Sequence, residues 1–197
     1  MDHYFSRDAG PPADPQRTTV RLGSEPLALW TARGVFSWRS LDRGTELLIA
    51  ALEVAPGERI LDLGCGYGPL AVYVSRHEPT AEVIATDVNP RAVELAARNL
   101  EQYGRSAWSC LLADALAPFG DAPLDVIATN PPIRAGWRVV FPMVDDAPRV
   151  LRPGGRFYAV ARTRQGADTL MKRIAGAFGN CEIVRRGSGY KVMRAVR

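Results

Sequence analysis

The residues with the clearest chemical meaning are the tetrapeptide Asn130-Pro131-Pro132-Ile133, which follows an apolar run. Proline lacks the N–H that a central strand needs, so the two prolines predict a rigid corner at the carboxyl end of a strand, where open α/β sheets bind ligands. The side-chain carbonyl of Asn130 and the backbone carbonyl of Pro131, which we expect to lack a local N–H partner, would accept both hydrogens of an exocyclic amine. Two acceptors favour the tetrahedral nitrogen that attack on a methyl carbon requires. The tetrapeptide therefore predicts methyl transfer to an amine; the alternative is a structural turn.

A glycine-dense turn lies upstream of this corner. The apolar stretch 60–63 runs into Gly64-Cys65-Gly66-Tyr67-Gly68, and a helix-compatible stretch follows. This is the strand–turn–helix opening of a nucleotide-binding α/β unit, in which glycines let the backbone approach a ligand. The spacing is not the Gly-x-Gly-x-x-Gly of dinucleotide binders, and Asp62 at the lip of the turn would repel a pyrophosphate but attract a cation. The turn therefore favours S-adenosylmethionine, which carries a sulfonium and an ammonium, over NAD.

Acidic residues end the two strands that follow. Residues 82–87 predict a strand that closes on Asp87, about 20 residues beyond the turn, where a ribose-binding carboxylate is expected. A helix or turn cap is the alternative for this residue. The next predicted strand, 108–113, ends at Asp114, and a fourth, 124–129, ends at Asn130. We expect these strand ends to form one ligand-binding edge.

The elements that position these residues alternate from residue 59 onward, which argues for a parallel sheet covered by helices on both faces. Helices are predicted over 70–76, 140–150 and 165–178, with a sharp turn at 152–155. The helix after Asp87 is capped by Asn89 and closed by Gly104. Its predicted buried stripe is Val93, Ala96, Ala97 and Leu100. Residues 181–186 and 190–196 predict a closing antiparallel hairpin.

The segment before residue 59 is organised differently. Residues 1–18 are polar, and we expect them to be loosely ordered. Residues 19–22 and 26–31 predict a hairpin. Asp42 or Thr45 would cap a helix that ends at 55–57, and its apolar face includes Leu48, Ala51 and Leu52. We treat 1–45 as a small N-terminal β/α extension, or lid-like segment, and 46–197 as the main domain.

The charge of the chain is unevenly distributed. The net charge is +4, but residues 149–197 hold twelve Lys or Arg against two acids. This asymmetry predicts an acidic partner, with nucleic acid the first candidate, and a solvated basic surface is the alternative.

The cysteines and the apolar pattern bear on the compartment. The three cysteines are an odd number without metal-ligand spacing, which suits a reducing cytoplasm and predicts no metal site. We expect Cys65 to offer its backbone amide rather than a reactive thiol. No run of 18 apolar residues and no basic-then-apolar leader is present, so we expect neither a membrane span nor a secretory signal.

Taken together, these motifs resemble the class I S-adenosylmethionine-dependent methyltransferases of the "methyltransferase small" group, especially the bacterial small-subunit rRNA guanine-N2 methyltransferases. The resemblance runs from about residue 3 to 194 and rests on segments 3–6, 34–37, 41–45, 62–68, 130–136 and 151–155. It implies a Rossmann-like fold with a seven-stranded, mostly parallel sheet, an antiparallel last strand and helices on both faces. It also implies S-adenosylmethionine as cofactor and RNA, in rRNA or a ribosomal subunit, as partner.

The resemblance also implies roles for individual residues. Asp62, Gly64 and Gly66 would hold the methionine end of the donor, Asp87 the ribose and Asp114 the adenine amino group. Ser37 and Thr45 would close over the pocket, and Asn130 would orient the target amine. The wider set implied for the cofactor adds Cys65, Gly68, Val88 and Ala115, and that for the substrate is Phe36, Arg134 and Arg138.

The chain departs from the family in two ways. Ile133 stands where amine methyltransferases often carry Phe or Tyr, which gives up base stacking of roughly 1–3 kcal/mol. The resemblance implies a further N-terminal domain in the rRNA enzymes, which we do not expect in this chain, so the target nucleotide is not carried over from them. The sequence predicts no oligomeric state. The alternatives are a methyltransferase of protein glutamine amides or of small molecules and, from another class, a non-catalytic RNA-binding or assembly module.

Overall fold

A computed structural model describes residues 14–120 and 123–197, so the 3–6 segment lies outside the described residues. The described part begins with the predicted antiparallel hairpin, of β1 (Gln16–Leu22) and β2 (Glu25–Thr31). Residues 16–18, which we expected to be loosely ordered, belong to β1 because they pair with residues 29–31. Gly23 turns the chain at a φ of 63°. The hairpin residues Val20, Leu22 and Leu29 are buried, so the hairpin packs against the rest of the protein.

The first helix, α1, spans Arg43–Ile49 and is shorter than the sequence predicts. Asp42 caps it, because its Oδ2 accepts hydrogen bonds from the backbone of Gly44 at 2.7 Å and of Thr45 at 3.1 Å. After Ile49 the bonds tighten to i→i+3, from Ala51 to Leu48 and from Leu52 to Ile49. Ala51 and Leu52 therefore lie beyond the helix, although both still pack against the core.

The body is a seven-stranded sheet flanked by helices. Its strands are β3 (Arg59–Leu63), β4 (Glu82–Asp87), β5 (Ala107–Leu112), β6 (Leu124–Thr129), β7 (Leu151–Arg162), β8 (Glu182–Gly187) and β9 (Tyr190–Val196). The order is β5-β4-β3-β6-β7-β9-β8. The first five strands of this order are parallel, and β9 is antiparallel to both of its neighbours. The predicted fold class is therefore confirmed, and the final hairpin inserts β9 between β7 and β8.

The helices between the strands are α2 (Pro69–His77), α3 (Pro90–Tyr103), α4 (Trp137–Asp145), α5 (Ala147–Val150) and α6 (Ala167–Phe178). The sequence predicts one helix over 140–150, but the structure breaks it at Asp146. Pro148 has no N–H to continue the hydrogen-bond ladder, so the chain must restart there. The turn predicted at 152–155 lies within β7 as a bulge, where pairing with β6 shifts register and Gly154 has a φ of 78°.

The buried face of α3 differs from the predicted stripe. Ala96 and Leu100 are buried as expected, whereas Val93 and Ala97 are only half-buried, and Ala92, Leu95 and Asn99 complete the face. Asn99 is fully buried because its amide joins three backbone groups, bonding both the N–H and the carbonyl of Trp30 and the carbonyl of Tyr67. A buried polar residue such as Asn99 cannot be predicted from the periodic spacing of apolar residues.

Two apolar cores lie on opposite faces of the sheet. One contains the hairpin with α1, α2 and α3, and the other contains α4, α5 and α6. The hairpin therefore shares its core with the glycine turn and α3. Within the part of the chain that the structure describes, no helix is long and apolar enough to cross a membrane.

Candidate active site

Three adjoining cavities open at the carboxyl edge of the parallel strands. We call them the glycine-turn cavity, lined by Thr45, Asp62, Cys65 and Tyr67 among others; the strand-end cavity, lined by Gly64, Asp87, Val88, Asp114 and Ala115 among others; and the basin, lined by residues 130–134 and others. The strand-end cavity spans about 720 Å³ and the basin about 2140 Å³, in each case together with the open solvent at its mouth. Asn130 and Phe36 line all three cavities, so ligands bound in adjoining cavities would meet beside these two residues.

The glycine turn leaves room for a ligand at two of its glycines. The backbone N–H groups of Gly64 and Cys65 both donate to the carbonyl of Thr86, at 2.8 and 2.9 Å. The amide that Cys65 was expected to offer is therefore already bonded within the fold. A Cβ on Gly64 would meet no atom within 4 Å, and one on Gly66 would reach only Val35 at 4.0 Å. Both glycines have positive φ and line cavities. The open side of the glycine turn therefore forms a cradle for a ligand, and a side chain at position 64 or 66 would occupy that space.

The third glycine and the cysteine serve the structure of the turn. A Cβ on Gly68 would lie 3.0 Å from Cβ of Ala96, so Gly68 permits close packing of α2 on α3, and it lines none of the three cavities. The Cys65 side chain is buried at the glycine-turn cavity, and its burial raises the pKa of the thiol well above its usual range. A protonated thiol is a weak nucleophile.

Two carboxyl groups flank the turn, that of Asp62 buried and that of Asp87 half-buried. Asp87 Oδ2 accepts a hydrogen bond from Gly66 N–H and its Oδ1 from Asn89 N–H, both at 2.9 Å. Burial raises the pKa of Asp87 despite these bonds. Burial also raises the pKa of Asp62 to about 7; the Ala71 N–H opposes this and the charge of Asp87 adds to it. Two carboxyls withdrawn from water favour a cationic ligand.

Asn130 is held by the residues that cap α1. Its Nδ2 donates to Asp42 Oδ2 and to Thr45 Oγ1, each at 3.0 Å. An ionised carboxylate has no proton to donate, so the atom facing Asp42 must be the nitrogen, which fixes the orientation of the amide. Oδ1 of Asn130 accepts no hydrogen bond from any residue that the structure describes. A free carbonyl oxygen thus stands where the three cavities meet.

The network behind Asp42 reaches the last strand of the sheet. Oδ1 of Asp42 accepts a hydrogen bond from the Tyr190 hydroxyl at 3.1 Å, and Arg162 Nε donates to that hydroxyl at 2.8 Å. Tyr190 and Arg162 pair across β7 and β9. No local pattern in the sequence marks these two residues, and for Asp42 the sequence predicts only the role of a helix cap.

The proline corner differs in one respect from the prediction. Pro132 has φ −76° and ψ 68°, an inverse γ-turn, and the Ile133 N–H donates to the Pro131 carbonyl at 2.8 Å. The expectation that this carbonyl lacks a local N–H partner was therefore wrong. A carbonyl oxygen has two lone pairs, so one remains available beside Asn130.

The remaining predicted residues divide between the rim and the outside of the site. Phe36, Ser37, Ile133 and Arg134 line the basin, but Arg138 does not. The hydroxyl of Ser37 donates to the carbonyl of Ser40 at 2.6 Å. The basin is also lined by residues for which the sequence predicts no role: Arg33, Trp38, Arg39, Ser40, Trp137, Val160, Ala161, Arg162, Gln165, Gly166, Thr169 and Tyr190.

S-adenosylmethionine fits the residues present. The glycine cradle is open, two acids supply negative charge, and each enclosed cavity presents a buried hydroxyl without a hydrogen-bond partner among the described residues, Tyr67 at the glycine turn and Thr86 at the strand ends. Within residues 14–120 and 123–197 no group of three or more His, Cys, Asp or Glu could hold a metal ion. This fold and this site are those of the class I S-adenosylmethionine-dependent methyltransferases.

Comparison with known proteins identifies the family. The sequence model of the methyltransferase small domain matches residues 26–194, and the chain belongs to this family. It is 32% identical to the uncharacterized protein YbxB of Bacillus subtilis, over 98% of both chains. It is 36% identical to ribosomal RNA small subunit methyltransferase C of Hahella chejuensis, over 88% of this chain and 50% of that protein.

A solved structure supports the same conclusion. The T. thermophilus 16S rRNA N2 G1207 methyltransferase (RsmC), in complex with AdoMet and guanosine, superposes with a TM-score of 0.84 and 28% identity, over 95% of this chain and 52% of that one. The chain thus spans about half the length of the rRNA methyltransferases that it matches, and 98% of YbxB.

Proposed function

We propose that this protein transfers a methyl group from S-adenosylmethionine to an exocyclic amine of a nucleobase, and that the amine is N2 of guanine in small-subunit rRNA. The single observation that carries the proposal is the orientation of Asn130, whose amide nitrogen is engaged by Asp42 and Thr45 while its oxygen is free at the junction of the cavities. Such an oxygen accepts a hydrogen bond from an N–H or an O–H and donates none. With the Pro131 carbonyl as a second acceptor, the two oxygens suit a group that carries two hydrogens, as an exocyclic amine does.

S-adenosylmethionine, when bound, supplies an electrophilic methyl group on a sulfonium. Asp62, Gly64, Gly66, Asp87, Val88, Asp114 and Ala115 are the residues that would hold it, with Ser37 and Thr45 at the N-terminal side. The Asn130 and Pro131 carbonyls would accept the two hydrogens of the target amine and draw its lone pair out of conjugation with the ring. Because the amine carries a positive charge once methylated, it loses a proton readily to water, and the site needs no strong base.

The basin supports a nucleotide as substrate. Arg33, Arg39, Arg134 and Arg162 line it against a single acid, Asp42. Its aromatic residues are Phe36, Trp38, Trp137 and Tyr190. Aromatic platforms beside arginines are the elements with which proteins hold unstacked bases and their phosphates. Phe36 or Trp38 would supply the stacking that Ile133 does not, so the substitution at position 133 is compatible with a base.

The choice of guanine N2 in small-subunit rRNA comes from the relatives. Several similar proteins carry the name ribosomal RNA small subunit methyltransferase C, and the T. thermophilus structure was solved with guanosine. The three cysteines carry free thiols, which suits a reducing compartment. We therefore propose that the protein acts in the cytoplasm.

The test compares Asn130→Ala with Asn180→Ala. Asn180 is an exposed asparagine that bonds Val196, at the opposite end of the sheet from the site. With labelled donor and 16S rRNA or small subunits as substrate, Asn130→Ala should lower turnover at least about 100-fold. Donor affinity measured by calorimetry should stay within about threefold, and the control should match the wild type. Nucleoside mass spectrometry should find N2-methylguanine.

Other outcomes would replace the proposal. Methyl transfer to intact release factors, and none to RNA, would make the protein a glutamine-amide methyltransferase. Absence of donor binding in the wild type would point to a non-catalytic RNA-binding module. Full turnover in Asn130→Ala would remove the mechanism proposed for the amine.

A further inference from the structure

We propose that the outer face of the N-terminal hairpin, together with the adjoining edge of α3, is a second docking surface for RNA phosphates. We call it the arginine–tryptophan surface and define it by Arg17, Arg21, Trp30, Arg98 and Gln102. The inference rests on the proposed function, because its occupant is the RNA substrate outside the methylated nucleotide. It also revises the expectation that the basic C-terminal quarter carries this role.

The surface is built around Trp30. Arg17 lies opposite Trp30 in the hairpin, and the guanidinium carbons of Arg17 and Arg98 stand 4.9 and 3.5 Å from the centre of the indole. Gln102 accepts hydrogen bonds from Arg17 Nη2 at 2.8 Å and from the indole Nε1 at 3.2 Å. Stacking on a ring orders a guanidinium while leaving N–H donors at its edge for an anion.

The arginines of this surface have no carboxylate partner in the part of the chain that the structure describes. Arg17, Arg21 and Arg98 are exposed, and no ion pair joins them to a carboxylate among residues 14–120 and 123–197. Glu25, the acid that begins β2, is engaged by Arg76. Exposed acids do occur on α3, at Glu94 and Glu101. Arg17 and Arg98 at Trp30, and Arg21 on the same exposed face of β1, nevertheless have no carboxylate partner among the described residues; Arg17 and Arg21 donate only to the neutral Gln102 and the Ser24 carbonyl. Cations without a carboxylate partner can neutralise a phosphate backbone.

The C-terminal quarter presents the opposite situation. Nine of its twelve basic side chains bond to groups within the protein: Arg149, Arg152, Arg156, Arg162, Arg173, Arg185, Lys191, Arg194 and Arg197. Carboxylates are the partners of five of them. A guanidinium already paired with a carboxylate must give up that partner before it can neutralise a phosphate. The excess of positive charge in this quarter is therefore largely committed to the fold.

The arginine–tryptophan surface is connected to the basin. Thr18, next to Arg17 in β1, donates through its hydroxyl to the carbonyl of Arg39 at 3.1 Å. Arg39 lines the basin and its guanidinium lies 4.6 Å from the ring centre of Trp38. Thr18 faces the body with Val20 and Leu22, whereas Arg17 faces solvent, so this contact joins the segment of Arg39 to the inner side of the strand that carries Arg17. In the proposal, RNA that leaves the basin past Arg39 crosses the hairpin to reach Arg17 and Arg98.

The test compares two double variants, each of which replaces two cations of one candidate region with glutamate. Arg17→Glu/Arg98→Glu changes the hairpin surface, and Lys172→Glu/Arg186→Glu changes two C-terminal cations that carry no hydrogen bond or ion pair within the described chain. Binding of 16S rRNA is measured by filter retention between about 50 and 300 mM KCl. The hairpin variant should bind at least about tenfold more weakly, and the slope of log K against log salt should fall by about 1.5 to 2, the value for two phosphates. The C-terminal variant should stay within about twofold.

Donor binding, measured by calorimetry, should be unchanged in both variants and so reports an intact fold. Equal weakening in both would overturn the proposal in favour of overall charge, and weakening in the C-terminal variant alone would restore the basic quarter as the docking region. Wild-type RNA binding by the hairpin variant, with loss of association to assembled subunits, would assign the surface to a protein partner. Because the assay measures no methylation, its outcome is independent of the proposed reaction.

Discussion

The side-chain nitrogen of Asn130 lies 3.0 Å from Oδ2 of Asp42, a residue 88 positions earlier in the chain. The same Oδ2 caps α1, and the other oxygen of Asp42 accepts a hydrogen bond from Tyr190. One carboxylate thus joins the start of α1, the end of β6 and the start of β9. The N-terminal segment therefore helps to orient the proposed catalytic amide, in addition to lining the cavities.

This arrangement predicts a specific difference between two substitutions at position 42. Asp42→Ala removes the acceptor of the Asn130 amide, and losing a hydrogen bond to a charged group, worth about 1.5–3 kcal/mol, should lower turnover roughly 10- to 100-fold at saturating donor. Asp42→Asn keeps an oxygen that can occupy the Oδ2 position, so turnover should stay within about fivefold. Steady-state kinetics on rRNA measure both.

The cap supplies an independent check on the same pair. Asp42→Ala should also lower the free energy of unfolding by about 1 kcal/mol through loss of the cap, and Asp42→Asn by only a few tenths. Should Asp42→Ala lose stability but keep full turnover, Asp42 would be a cap and nothing more. Denaturant unfolding separates the two roles.

The sequence predicts the strands of this fold well because local signals mark them. Strands β3, β4 and β6 are apolar runs bounded by Gly, Pro, Asp or Asn, and the structure begins and ends them within a residue of the prediction. Helix ends were harder to predict. The end of α1 depends on a tightened last turn, and the break between α4 and α5 depends on Pro148, whose effect competes with a continuous apolar pattern.

The site could be predicted only where its residues are close in the sequence. The glycine turn, Asp87 and the proline corner each have a local signature. Tyr190 and Arg162 have none, because they meet Asp42 only through the insertion of β9 beside β7. The roles of the cofactor residues stay predictions, which the next two experiments address.

Donor affinity and stability should depend on pH in opposite directions through Asp62. Its pKa is raised from 3.8 to about 7 by burial, so between these values the folded chain retains a proton that the unfolded chain releases. The free energy of unfolding must therefore fall as pH rises from about 4 to 7. The donor's ammonium requires the ionised carboxylate, so its affinity should be about tenfold weaker at pH 6 than at pH 8.

Asp62→Asn provides the control, since its carbonyl can still accept the Ala71 N–H. Calorimetry should show weak donor binding with little pH dependence, and the melting temperature of the wild type should drop relative to the variant between pH 5 and 8. A constant difference in melting temperature across that range would mean that Asp62 is ionised throughout.

Two glycines in one turn should respond differently to alanine. Gly64 and Gly68 have similar φ values, 78° and 82°, so both variants carry a backbone strain of about 1–2 kcal/mol. The new Cβ of Gly64→Ala would enter open space beside the donor cavities, and donor affinity should fall at least about tenfold. That of Gly68→Ala would press on Ala96, so stability should fall by about a further 1–3 kcal/mol.

Calorimetry and denaturant unfolding on the two variants measure this contrast. Gly68→Ala should retain donor binding at temperatures where it is folded, because Gly68 lines no cavity. If Gly64→Ala bound the donor normally, the glycine cradle would have no contact with it.

Arg134 and Arg138 form a last matched pair, because the family resemblance assigns both to the substrate and the structure separates them. Both are exposed, but only Arg134, in the short 3-10 turn after the proline corner, lines the basin. Loss of one phosphate contact of about 1 kcal/mol should raise the KM of Arg134→Ala for rRNA about fivefold and leave kcat unchanged, since phosphate contacts position the strand without touching the base. Arg138→Ala should stay within about twofold of the wild type. An equal rise in KM in both variants at low salt that vanishes above about 200 mM KCl would instead identify a long-range field, and the basin would then extend over α4.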